Sequence, residues 1–308
     1  MMRFVRSVPM AITGLALALA SLGNLLLPHG AIVRYICGVL ATIVLLAFAL
    51  KLFLDSPHAR AELKTPVPLS VLPTTTMASM ILCTYIRPYV GIFAVYLWYA
   101  AVVVHLCIVL LFAGRFILGF QISTVYPSWF IPFVGIVVVS VTAPAMDARP
   151  IGQAAFYVGF VLYFVAFALI MRRRAKPIFV PEPLRLTTAI FTAPMSLCIV
   201  GYFASFEQRN TTLVYAMLTI AVLSYLYVTI KMLTTFLRMK FYPTYAAFTF
   251  PYVISAIAFR LGNNFLAAQG YNFLAPLATL SEWIAIGIVL YVFLHYVRFF
   301  RFVLTFSR

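Results

Sequence analysis

Residues 245–267, YAAFTFPYVISAIAFRLGNNFLA, are apolar and long enough to cross a bilayer as one helix, yet they carry a proline, Pro251, near the start. Proline inside a membrane helix removes a backbone donor and kinks the helix, so it is tolerated where the freed carbonyl faces protein or water. Four more prolines, Pro9, Pro73, Pro132 and Pro194, sit near the starts of other apolar stretches. From Pro9 to Pro251 the successive separations are 64, 59, 62 and 57 residues. Helix starts favour proline on their own account. Regular spacing along the chain points instead to five units of similar length, each a kinked helix followed by a longer outer one.

The composition agrees. Of 308 residues, 65% are hydrophobic and 9% charged, too few charges to give each helix of a soluble domain a polar face. Ten stretches read as spans: 7–26, 31–54, 70–86, 89–112, 128–143, 150–171, 189–206, 211–236, 245–267 and 275–300. Several odd-numbered spans are short, whereas the even-numbered ones are long and continuous. The first stretch, with Arg3, Arg6 and an Ala18-x-Ala20 pattern, also has the look of a secretory signal, but its place in the repeat makes it the first span. Residues 1–308 are expected to form a single transmembrane domain.

Lysine and arginine number 22 against 6 acidic residues, a formal charge of +16. In a soluble protein that would suggest nucleic acid; here the charge lies in short segments beside apolar runs, so topology, anionic lipid and anionic solutes are the expected partners. The N-terminus, the loops after even-numbered spans and the C-terminus hold 17 of the 22, from Arg3, Arg6 and Lys51 to Arg301 and Arg308. The other side has Arg34, Arg87, Arg149, Arg209 and Arg260. Both termini are therefore expected to be cytoplasmic.

After each proline the odd-numbered spans are rich in small and hydroxylated residues, as in TGLALALASLG (13–23) and TTTMAS (74–79), which permit close helix approach or line water-accessible space. Five helices with axes about 9 Å apart place each axis about 8 Å from a common centre, which leaves a lumen of a few Å unless large side chains close it. The expected fold is all-α, with ten transmembrane helices forming five hairpins in a quasi-fivefold arrangement around a central pore.

Five segments carry a resemblance: VPMAITG (8–14), LPTTTM (72–77), IPFVG (131–135), APMS (193–196) and, most specifically, AFTFP (247–251). Over nearly the whole chain the pattern resembles the tellurite-resistance and dicarboxylate transporter family, which includes TehA-type bacterial anion channels and the plant guard-cell slow anion channels (SLAC). The resemblance implies ten helices in five hairpins around one pore, a homotrimer with a pore in each subunit, and a pore-blocking phenylalanine at Phe250. Two features depart from the family pattern. Ile12 and Thr13 stand where many relatives have an aromatic pair, and the fifth span lacks the Asn-rich stretch of some bacterial members.

An anion pore needs positive potential without a tight site. The prolines Pro9, Pro73, Pro132, Pro194 and Pro251 are expected to turn helix-end dipoles and freed backbone toward the lumen. Arg260, nine residues past Pro251 and about 13 Å farther along the axis, either attracts anions at the external mouth or is structural, snorkelling to the interface or paired with Glu207 or Glu282. Phe248 is the lesser candidate for the gate; two residues from Phe250, it points to another face. His29, His58, His105 and His295 are scattered and form no metal site, and the four cysteines read as buried thiols. No nucleotide-binding, dehydrogenase or metalloprotease motif is present, so no cofactor and no enzymatic activity are expected. Ionisable groups are almost lacking within the spans. The function expected is thus an anion channel of the inner or plasma membrane; the alternative is a secondary transporter of a small oxyanion or C4-dicarboxylate such as sulfite, a tellurite-related species or malate.

Overall fold

The computed structural model describes residues 2–306, which form helices and loops with no strand among them. Arg308 lies outside the described residues, as does the side chain of Arg3. A short α1 (Met2–Ser7) breaks at Pro9 before α2 (Ile12–Leu25), and α3 (Ala31–Leu54) returns. After α4 (Ser56–Glu62) and α5 (Pro66–Val71), α6 (Pro73–Val90) and α7 (Ile92–Phe116) make the second pair. The third comprises α8 (Phe130–Val134), α9 (Val137–Thr142) and α10 (Arg149–Arg174), with a 50° bend between the helical runs Pro127–Val134 and Val137–Met146. Next, α11 (Glu182–Arg185) and a 3-10 segment at Leu186–Thr192 lead into α12 (Ala193–Ser205), followed by α13 (Thr211–Thr234). Last come α14 (Ala246–Ala267) and α15 (Ala275–Phe306).

Among the described residues, 8 helical runs are long and apolar enough to cross a membrane, or 9 if the bent pair is one span. The first expected span is shorter than read: α2 begins only at Ile12, past the break at Pro9, and has 14 residues. The third is longer, because α6 runs through Pro88 to Val90 and stops at Gly91, whose φ of 54° suits glycine. Proline at 88 cannot donate to the Thr84 carbonyl, and Arg34 Nη2 donates to it instead at 3.4 Å.

Burial separates two classes of helix. In their most apolar windows, 89% of residues are buried in Glu182–Ser205 and 78% in Pro243–Ala267, whereas α3, α7, α10, α13 and α15 reach 33% or less and present Leu, Ile, Val and Phe outward. The buried helices pack in sequence, α2 on α6, α6 on α9, α9 on α12, α12 on α14, and α14 back on α2. Each also packs on the longer helix that follows it. The two ends of the chain meet on one face, where the rings of Phe4 and Phe300 lie 5.1 Å apart.

Hydroxyl groups hold the seams between the buried helices. Thr74 Oγ1 donates to Thr13 Oγ1 at 2.7 Å, Ser140 bonds Ser205 at 3.1 Å, Ser196 bonds Ser255 at 3.0 Å, and Thr249 Oγ1 donates to the Gly14 carbonyl at 3.3 Å. Beside the remaining seam, Ser70 donates to Ser128 at 2.7 Å. All nine of these side chains are buried. Of the two roles read for the small and hydroxylated residues, close helix approach is therefore the main one. Gly201 makes one seam possible: a Cβ there would meet Val137 Cγ1 at 2.6 Å and Ser140 Cβ at 3.1 Å.

Candidate functional site

A cavity of about 530 Å³ opens where the buried helices begin. The N-terminal turns of α2, α6, α12 and α14 contribute to its wall together with α8. Along these elements its deepest residues are Leu17, Met77, Leu197, Pro251 and Gly135, so it stops partway along the buried helices. The wall is almost entirely apolar. Arg6, Lys51 and Glu62 are its charged residues, and Ser7, Thr74, Thr187, Tyr242 and Thr244 carry hydroxyls.

Helix direction gives this cavity its electrostatics. Each of α2, α6, α12 and α14 presents its N-terminal, positive end, and none has a side-chain cap to neutralise it. The first amides are not free donors: Ile12 N–H bonds the Pro9 carbonyl at 3.1 Å, Gly14 that of Ala11 at 3.1 Å, and Thr75 that of Leu72 at 3.0 Å. What these turns lend the cavity is the field of the helices rather than free donors.

Four of the five repeat prolines mark interruptions. Pro9 lies between α1 and α2, Pro73 opens α6, Pro132 precedes the 50° bend and Pro194 follows the 3-10 segment. Pro251 alone among the five lies inside one unbroken helix, and the carbonyl it leaves without its usual donor is that of Ala247 on the cavity wall. Pro9, Pro194 and Pro251 line the cavity; Pro73 and Pro132 do not.

Phe250 lines the cavity at its deep end and is 7% exposed. Phe248 points elsewhere, into a cluster with Phe236, Tyr245 and Tyr252. Arg260 belongs to the opposite end of the buried helices. Its Nη1 donates to the carbonyl of Leu25, the last residue of α2, at 2.6 Å, and its Nη2 pairs with Glu282, which also meets His29 at 3.0 Å. Glu207, the other partner considered, is taken by Arg149.

Three features escaped the sequence. Lys51, read as a loop charge, is buried on the cavity wall. The signal for it was its place inside the apolar run 31–54. His105, on an outer helix, is buried and bonds Thr76 of α6 through Nδ1 at 2.8 Å. Cys107 is exposed rather than buried, because it falls on the outward face of α7.

A family model described as SLAC1, voltage-dependent anion channel, matches residues 5–299, a range that contains every residue of the cavity wall. No curated protein matches the chain.

Proposed function

The chain belongs to the SLAC1 family of voltage-dependent anion channels, and from that premise we propose that it conducts small anions passively through a pore continued from this cavity, with Phe250 as the gate. The observation that carries the reading is the cavity itself: positive helix ends surround it, and Phe250 stands at its blind end. An apolar ring in a lumen a few Å wide excludes hydrated ions by volume and by disfavouring water. Opening would then need a ring rotation or a change in the tilt of α14 about Pro251.

In this proposal α2 and the bent pair α8–α9 complete ten spans, so residues 1–308 form one domain of five hairpins with the five proline-marked helices around the pore. A 14-residue helix falls short of a bilayer, but α2 is sheltered from lipid by its neighbours and needs no lipid-facing length of its own. The cavity opens on the cytoplasmic side of an inner or plasma membrane, where both termini lie, in keeping with the distribution of basic residues. Three copies assemble as a homotrimer, as the resemblance implies.

Anion flux into liposomes under an imposed voltage, with no proton gradient, tests the proposal. Current that follows the voltage and reverses at the anion equilibrium potential is expected. Flux only when a proton or cation gradient is supplied would show a coupled transporter instead.

A further inference from the structure

Among the described residues the buried charged side chains are Lys51, Asp55 and Arg173, and of these Lys51 alone lines the cavity. Its side chain, 1% exposed, is fixed near the end of α3. Two of its three N–H donors are in use, one on the Val8 carbonyl at 2.6 Å and one on Glu62 Oε1 at 2.7 Å. An ammonium removed from water needs an anion in contact with it. Glu62 provides that anion from the last residue of α4, a helix of 7 residues followed by a turn, and its side chain is 36% exposed. The cation is thus buried and held by two hydrogen bonds, while the carboxylate is partly exposed.

The neighbouring charges do not compete for Lys51. Arg6 lies 3.6 Å from Asp55 and His58 lies 3.7 Å from the same carboxylate, so the second acid at this mouth has partners of its own. With Glu62 in place, Arg6 and Lys51 balance Asp55 and Glu62. When Glu62 swings out to solvent, one buried positive charge on the cavity wall is left to be neutralised.

Resting on the reading of the cavity as an anion path, we infer that Lys51 is an anion seat in its mouth and that Glu62 is a tethered occupant. A small monovalent anion binds Lys51 Nζ in exchange for the Glu62 carboxylate, so the protein carries its own competitor for the ion it conducts. The competitor holds the seat when anions are scarce and yields as their concentration rises.

The test uses the full-length protein and chloride as the probe, with gluconate holding ionic strength constant. The dependence of thermal unfolding on chloride is measured in parent, Glu62→Gln, Lys51→Met and Asp55→Asn proteins. Removing the competing carboxylate should lower the half-saturating chloride concentration by about fivefold or more, and Lys51→Met should abolish the chloride dependence. Should Lys51→Met fail to fold, the double variant Lys51→Met/Glu62→Leu removes both charges at once and should fold without any response to chloride. Asp55→Asn removes a nearby negative charge that does not bond Lys51 Nζ and should leave the half-saturating concentration near the parent value. An unchanged or raised value in Glu62→Gln, or an equal drop in Asp55→Asn, overturns the inference. Because this readout needs no current, a chloride response that depends on Lys51 in a protein that fails to conduct would defeat the proposed function and leave the seat standing.

Discussion

The two ends of the buried helices use positive charge in opposite ways. At the end where α2, α6, α12 and α14 begin, the helix dipoles point their positive poles into an apolar cavity. At the other end the same helices finish in negative poles, and arginines are spent on them. Arg260 bonds the carbonyl of Leu25 at the end of α2, Arg209 bonds that of Phe203 near the end of α12 at 2.9 Å, and Arg34 bonds that of Thr84 on α6. The remaining arginines there are tied to acids, Arg87 to Asp147 at 2.8 Å and Arg149 to Glu207. A +16 chain therefore offers little free positive charge at the end where its arginines cap carbonyls, and keeps most of its basic residues for the other end.

That contrast makes the far half of the bundle a matter of packing. The largest stability effect is expected at Gly201, where Gly201→Val forces branched methyl groups against Val137 and Ser140; a loss of about 3 kcal/mol or more should appear in denaturant or thermal unfolding. Next comes Arg260→Ala, which orphans the Leu25 carbonyl and leaves Glu282 with His29 only. It should cost roughly 2 kcal/mol, discounted for partial exposure, while the current per folded channel stays near parent. A well-folded Arg260→Ala protein whose current falls below the parent's at low salt and matches it at high salt would instead make Arg260 an anion attractor. The smallest effect is expected at Ser196→Ala, about 1 kcal/mol, because Ser255 keeps its bonds to the Thr192 and Pro251 carbonyls.

Much of the architecture was legible because bilayers constrain sequence strongly. The long runs at Ala31–Leu54, Ile92–Phe116 and Thr211–Thr234 stand out by apolar length alone, and their bounds lie close to those read. The buried helices were harder. Their prolines were visible, but whether a proline kinks a helix or opens one depends on the residues around it, and only Pro251 of the five lies within continuous helix. Hydroxyl residues gave two readings because Thr74 and Ser196 have the same chemistry whether they face water or a neighbouring helix; tertiary contact decides. Lys51 was read by its nearness to a loop, yet the turn at Val8 and the short α4 fold over it. A long-range enclosure of that kind leaves no local pattern. The two roles considered for Arg260 depended on its partner, which is 22 residues away in sequence.

The claim on which the contrast turns is that the cavity is an anion path stopped by one aromatic ring, and truncating that ring tests it most directly. Anion currents of Phe250→Ala, Phe250→Leu and Phe248→Ala should be compared with the parent at equal amounts of folded protein. Phe250→Ala should raise the current by about tenfold or more, Phe250→Leu less, and Phe248→Ala hardly at all, since that ring is packed among Phe236, Tyr245 and Tyr252 away from the cavity. A normally folded Phe250→Ala protein that conducts no more than the parent would contradict it.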